Sequence, residues 1–137
     1  MSEQGQARRD AQFWAGWAMS GLVIAFLIMD FTMKLLALPV VTQASEGLGW
    51  PPTAQTARGL GVLLAICTVL YAAPPTALLG AVLMTGYLGG AVATHVRIGN
   101  PLFSHVLFGV YLGVLMWGGL WLREPRLRAL LPLRRAL

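Results

Sequence analysis

A chain of 137 residues, 57% hydrophobic and only 11% charged, has room for one domain, and its charge is about half that of an average soluble protein; this is a membrane composition. Ten Lys and Arg against five Asp and Glu give a net charge of +5, yet five of the ten follow an apolar run within the last fifteen residues, so the excess reads as membrane-flanking charge and a nucleic-acid surface is excluded. The single Cys67 lies inside the apolar run LLAICTVL, which excludes an intramolecular disulfide or a CxxC pair and leaves no thiol–disulfide chemistry to this chain alone.

Residues 1–12 are polar and are predicted to be disordered. The first predicted span covers 13–38 and ends at Pro39, with Trp14 and Trp17 at the level of an interfacial aromatic belt. It is too long for the apolar part of a signal peptide, carries Asp30 and Lys34, and lacks a small-x-small cleavage site, so it reads as a retained helix. Residues 39–53, PVVTQASEGLGWPPT, hold three prolines and two glycines and are predicted to form a loop with Trp50 at the interface. The second span covers 54–73 and closes at Pro74-Pro75, the third covers 76–98, and the fourth covers 101–122. Gly99 and Asn100 alone join the last two, which forces an antiparallel hairpin: Gly99 suits a left-handed C-terminal position, Asn100 a cap, and Pro101 a first turn. The tail, 123–137, is basic, with leucines to lie on lipid and arginines to meet anionic headgroups.

Apolar runs of about twenty residues without period-two alternation predict an all-α fold, an integral membrane bundle of four antiparallel transmembrane helices. An even number of spans puts both termini on one side, where seven arginines stand against Lys34, Arg58 and Arg97 on the other; both termini are therefore expected in the cytoplasm. Two pairs of glycines four apart, Gly86 with Gly90 and Gly109 with Gly113, are expected to face inward as helix contacts.

Asp30, Lys34, Arg58, His95, Arg97 and His105 all fall toward the non-cytoplasmic face in this topology. A charge at the depth of Asp30 costs at least a few kcal/mol unless it is paired or protonated. Lys34, four residues on, offers a local salt bridge in the favourable acid-before-base order; the functional reading makes Asp30 a proton carrier in a cavity. His95 and His105, at matching depth, suit a shared ligand, a metal or haem iron, or a proton relay, and equally suit hydrogen bonds to each other, Tyr87, Thr94 or loop carbonyls. Two histidines without a neighbouring Cys or carboxylate set are thin ground for a metal or haem, and none is assigned. Arg58 and Arg97 either snorkel to headgroups or hold the head of an amphiphilic ligand. No serine-nucleophile motif, phosphate loop or dinucleotide fingerprint is present.

The order Asp30-x-x-x-Lys34, LGWPP at 48–52, GLGVLL at 59–64, GGAVATHVRIGNP at 89–101 and LREPRLRALLPLR at 122–134 resembles the DoxX-like family of small bacterial membrane proteins from the first helix onward. The GGAVATHVRIGNP stretch is the specific part. The resemblance implies a four-helix membrane bundle, association with a quinone-reactive oxidase system, and neighbouring soluble redox or thiol-handling enzymes. It carries over Lys34, His95, Arg97 and the turn through Pro101 as pattern residues without assigned chemistry. The outline is also similar to the emopamil-binding and sigma-2 receptor group, a likeness of architecture alone.

The expectation is a bacterial inner-membrane protein holding a small lipophilic ligand, a quinone foremost, in an outer-leaflet pocket as part of a redox assembly. Asp30, His95 and His105 would handle protons, and Lys34, Arg58, Tyr87, Arg97 and Asn100 would bind the ligand. The partners expected are the lipid membrane, the ligand, a soluble redox protein and a second copy of the chain. Two alternatives stand beside it: a self-sufficient membrane isomerase or oxidoreductase using Asp30 and a histidine as acid and base, and an assembly subunit without a ligand.

Overall fold

The computed structural model describes residues 3–133, and all regular structure among them is helical. The helices are α1 (Glu3–Leu35), α2 (Pro39–Gly47), α3 (Ala54–Ala72), α4 (Ala77–Arg97), α5 (Phe108–Arg123) and α6 (Pro125–Leu130). A 3-10 turn (Pro74–Thr76) leads into α4 and a π turn (Leu102–Val106) precedes α5. Four of these units, α1, α3, α4 with its 3-10 turn, and α5 with its π turn, are long and apolar enough to cross a membrane. The protein is a multi-pass, all-helical membrane bundle.

The four spans close a ring, with α1 against α3 and α5, and α4 against the same two. Val23, Leu27, Leu64, Tyr71, Met84 and Met116 form its buried centre. The outer faces are no less apolar: Leu22, Ile66, Val69, Val82 and Val114 are all exposed, as helices in lipid require. Lipid tails compete for such faces, so cohesion has to come from close approach and internal hydrogen bonds. Both are present. A Cβ on Gly16 would lie 2.8 Å from the Arg123 nitrogen and the Gly119 oxygen, and one on Gly119 would lie 2.6 Å from Ser20 Oγ, so α1 and α5 cross at these glycines. Beneath that crossing the buried Tyr71 hydroxyl donates to the Met116 carbonyl (2.8 Å), which leaves the Ser20 hydroxyl to donate to Tyr71 (2.8 Å). One phenol thus ties α1, α3 and α5 together.

The inward role expected of Gly86 and Gly90 is not found: both are exposed, with nothing within 4 Å of a Cβ built there. The inner face of α4 is Ala77, Gly80, Ala81, Met84 and Leu88, and two residues beyond Met84 or Leu88 is about 200° around a helix. The second pair does meet α4, Gly109 closely (3.0 Å to Val92 Cγ2) and Gly113 loosely (3.9 Å to Leu88 Cδ1).

Three segments are more ordered than their composition suggests. Helix α1 begins at Glu3, where disorder was expected, because a membrane span supplies the helical nucleus and the glutamines, alanines and arginines ahead of it extend that nucleus cheaply. Residues 39–47 are helical because Pro39, expected to stop a helix, sits in the first turn of one. Ala37, in the left-handed region at φ 49°, ends α1 just before it, with the Leu38 N–H on the Met33 carbonyl and the Ala37 N–H on the Lys34 carbonyl. The basic tail turns into α6, whose N-terminus is capped by Glu124 accepting from the Arg126 N–H (3.1 Å); Arg134 and Arg135 lie outside the described residues. Arg128 of α6 donates to Gln12 Oε1 of α1 (2.8 Å), so the two terminal segments meet at one end of the bundle.

Candidate functional site

At the other end, the α4–α5 hairpin is built as its sequence requires. Gly99 takes φ +72°, the Asn100 N–H reaches back to the His95 carbonyl and the Gly99 N–H to the Val96 carbonyl, closing α4. The reading of Asn100 as the next helix cap is corrected, since Pro101 occupies that position and no side chain caps it. Asn100 turns back instead, its Nδ2 lying 2.6 Å from His95 Nδ1. The Val106 and Leu107 N–H groups bond to the Pro101 and Leu102 carbonyls, five residues back, which widens the first turn into the π turn that carries His105.

The outcome is a histidine couple. The rings of His95 and His105 meet edge to face with centroids 5.8 Å apart and planes at 65°. An amide nitrogen can only donate, so with Asn100 Nδ2 on it His95 Nδ1 accepts and the ring proton sits on Nε2. His105 Nδ1 pairs with Ser104 Oγ at 2.7 Å. Neither Nε2 has a hydrogen-bond partner among the described residues, and His105 is exposed.

Arg97 and Arg58 flank this end by binding backbone. Arg97 Nη2 donates to the Leu48 carbonyl (2.7 Å) and lies over Gly49, whose φ of +76° and lack of a Cβ admit the guanidinium; it holds the loop between α2 and α3 onto the hairpin. Arg58 Nε donates to the Leu35 carbonyl (3.2 Å), satisfying one of the open carbonyls at the end of α1.

Asp30 and Lys34 form an ion pair along α1, the only one among the described residues, with side chains 31% and 18% exposed. Tyr87 of α4 packs on the core, and its hydroxyl makes no hydrogen bond among the described residues. Of the polar residues that the sequence directs to one membrane face, Arg58 and Arg97 bind backbone, and the rest fall in two groups, the histidine couple with Asn100 and the Asp30–Lys34 pair. Among the described residues no hydrogen bond or ion pair joins them, and no three His, Cys, Asp or Glu side chains gather.

One residue that the sequence assigns to the tail, among the arginines expected to meet headgroups, is placed otherwise. Arg123 is only 8% exposed, under the close α1–α5 crossing. Its signal in the sequence is slight: an arginine at the last position of an apolar span, before Glu-Pro.

Against known proteins, the sequence model of a family described as the DoxX-like family matches residues 18–119. That stretch runs from α1 nearly to the end of α5 and takes in both polar groups. Neither a curated protein nor a solved structure matches the chain.

Proposed function

This chain belongs to the DoxX-like family, and from that premise we propose that it binds a small lipophilic ligand with a carbonyl-bearing head, a quinone, at the hairpin end of its bundle. It does so as the membrane component of a redox assembly in the bacterial inner membrane, with the arginine-rich terminal end in the cytoplasm. The observation that carries the reading is the histidine couple, two imidazoles in edge contact at the end of apolar helices, each with Nε2 unengaged and that of His95 carrying a proton. A quinone carbonyl accepts a hydrogen bond, its ring and tail prefer an apolar wall, and its two-electron reduction takes up two protons. His95 serves as the donor to the carbonyl oxygen, and His105, exposed and in ring contact, as the exchange partner with solvent. The Asp30–Lys34 pair is a second, deeper proton-handling group.

Titration of the purified protein with a short-chain quinone, followed by its thermal stabilisation, tests this. Wild type is stabilised with increasing quinone, and His95→Gln with His105→Gln weakens binding at least about tenfold, the worth of one good hydrogen bond. Absence of stabilisation, or an unchanged affinity in the double variant, rejects the assignment.

A second reading has its own support, because Arg58, Arg97 and Asn100 all direct donors to groups of the same chain. In that reading the polar end locks the bundle for assembly with a partner, and the double histidine variant retains full function in the cell.

A further inference from the structure

The terminal end of the bundle, opposite the histidines, holds a hollow of about 850 Å³ between α1, α5 and α6. Arg8, Arg9, Arg123 and Arg128 line it, against Asp10 as the one carboxylate, while Phe13 and Leu122 add an apolar wall. Four guanidinium groups around one opening repel each other, and the lining offsets them only in part, through the single Asp10 carboxylate and the Gln12 carbonyl that accepts from Arg128.

Arg123 is the fixed member. Its guanidinium lies 4.2 Å from the centre of the Trp17 ring and 5.3 Å from that of Tyr71, and Nη2 donates to the Tyr71 carbonyl at 3.2 Å. Among the described residues the buried Nε has no hydrogen-bond partner and no carboxylate lies within ion-pair distance. The adjacent Glu124 is engaged elsewhere, capping α6. Two aromatic faces and one carbonyl offset only part of the cost of burying a cation, and a buried guanidinium is ordinarily completed by an anion. The planar fork of an arginine matches two oxygens of a phosphate, and further arginines at the rim raise the local concentration of that anion.

We propose that this hollow is a binding site for a phosphate-bearing anion, with Arg123 as its anchoring cation and Arg8, Arg9 and Arg128 completing the shell. The phosphate comes from the diester of an anionic phospholipid, whose glycerol and first methylenes meet Phe13 and Leu122, or from a soluble phosphate ester at the membrane surface. The site is separate from the quinone site proposed above and stands or falls without it.

The full chain in nanodiscs of phosphatidylcholine mixed equally with phosphatidylglycerol, released and weighed by native mass spectrometry, tests the site, alongside a thermal titration with inorganic phosphate. Wild type retains phosphatidylglycerol over phosphatidylcholine. Arg8→Gln with Arg9→Gln, exposed positions that leave the fold intact, lowers that preference roughly tenfold or more. Arg123→Lys keeps the charge, loses the fork, and lowers it further. If phosphate stabilises the protein with the same dependence on these arginines and the lipid preference is absent, the site holds and its ligand is the soluble ester. The proposal is overturned if neither anion is preferred, or if the preference is unchanged in both the Arg8/Arg9 and the Arg123 variants.

Discussion

Tyr71 stands at the junction of three helices through one hydroxyl, bonded to the Met116 carbonyl and to Ser20. Tyr71→Phe leaves the ring packed and removes both bonds, stranding the Ser20 hydroxyl, so it should cost about 1–3 kcal/mol of stability. Unfolding in a graded detergent series would measure this, and a loss below about 0.5 kcal/mol would contradict the role given to it. The Asp30–Lys34 pair behaves differently because both members are partly exposed. Asp30→Asn alone should destabilise by about 1 kcal/mol by leaving the lysine unpaired, and adding Lys34→Met should recover most of it, as a double-mutant cycle on the same assay would reveal. That pair was legible in the sequence, since four-residue spacing on a helix fixes the contact whatever surrounds it. The burial of Arg123 was not legible: it depends on Trp17 lying beneath it, and that follows from a glycine crossing between residues a hundred positions apart.

At the scale of elements, the same crossing divides the glycines into two kinds. Gly16→Ala or Gly119→Ala drives a methyl into the facing helix and should cost about 1–3 kcal/mol, whereas Gly86→Ala and Gly90→Ala meet open space and should be neutral or stabilising by up to about 1 kcal/mol. Thermal denaturation of the four variants in one detergent checks the contrast, and equal effects in all four would refute the packing. The spans and the hairpin could be read directly from continuous apolar runs and from Gly99. Gly86 and Gly90 mislead because spacing alone says nothing about which face a pair occupies; the buried series through Ala81, Met84 and Leu88 does. Helix α2 was hidden by Pro39, since a proline that ends one helix and a proline that opens the next look alike in sequence. The π turn likewise follows from carbonyl partners five residues apart, which no residue type announces.

The whole molecule is a ring of four spans with a cationic end and a histidine end. In a Cys67→Ala background, Gln43→Cys on α2 and Gln6→Cys on α1 are exposed positions on opposite sides of the proposed membrane. A membrane-impermeant maleimide applied to intact cells should label Gln43→Cys and leave Gln6→Cys unlabelled until the cells are opened; the reverse pattern would invert the orientation derived from the arginines. The two proposed sites lie at opposite ends of the bundle, so substitutions of Arg8 and Arg9 should leave quinone binding untouched. Whether the histidine couple holds a lipophilic ligand, as proposed, can be decided by native mass spectrometry of the protein gently extracted from its own membranes, with the co-released small molecules identified in parallel. A quinone should be bound at near one-to-one stoichiometry in wild type and lost on His95→Ala. A protein that emerges free of any lipophile, or one that keeps its quinone without His95, would contradict it.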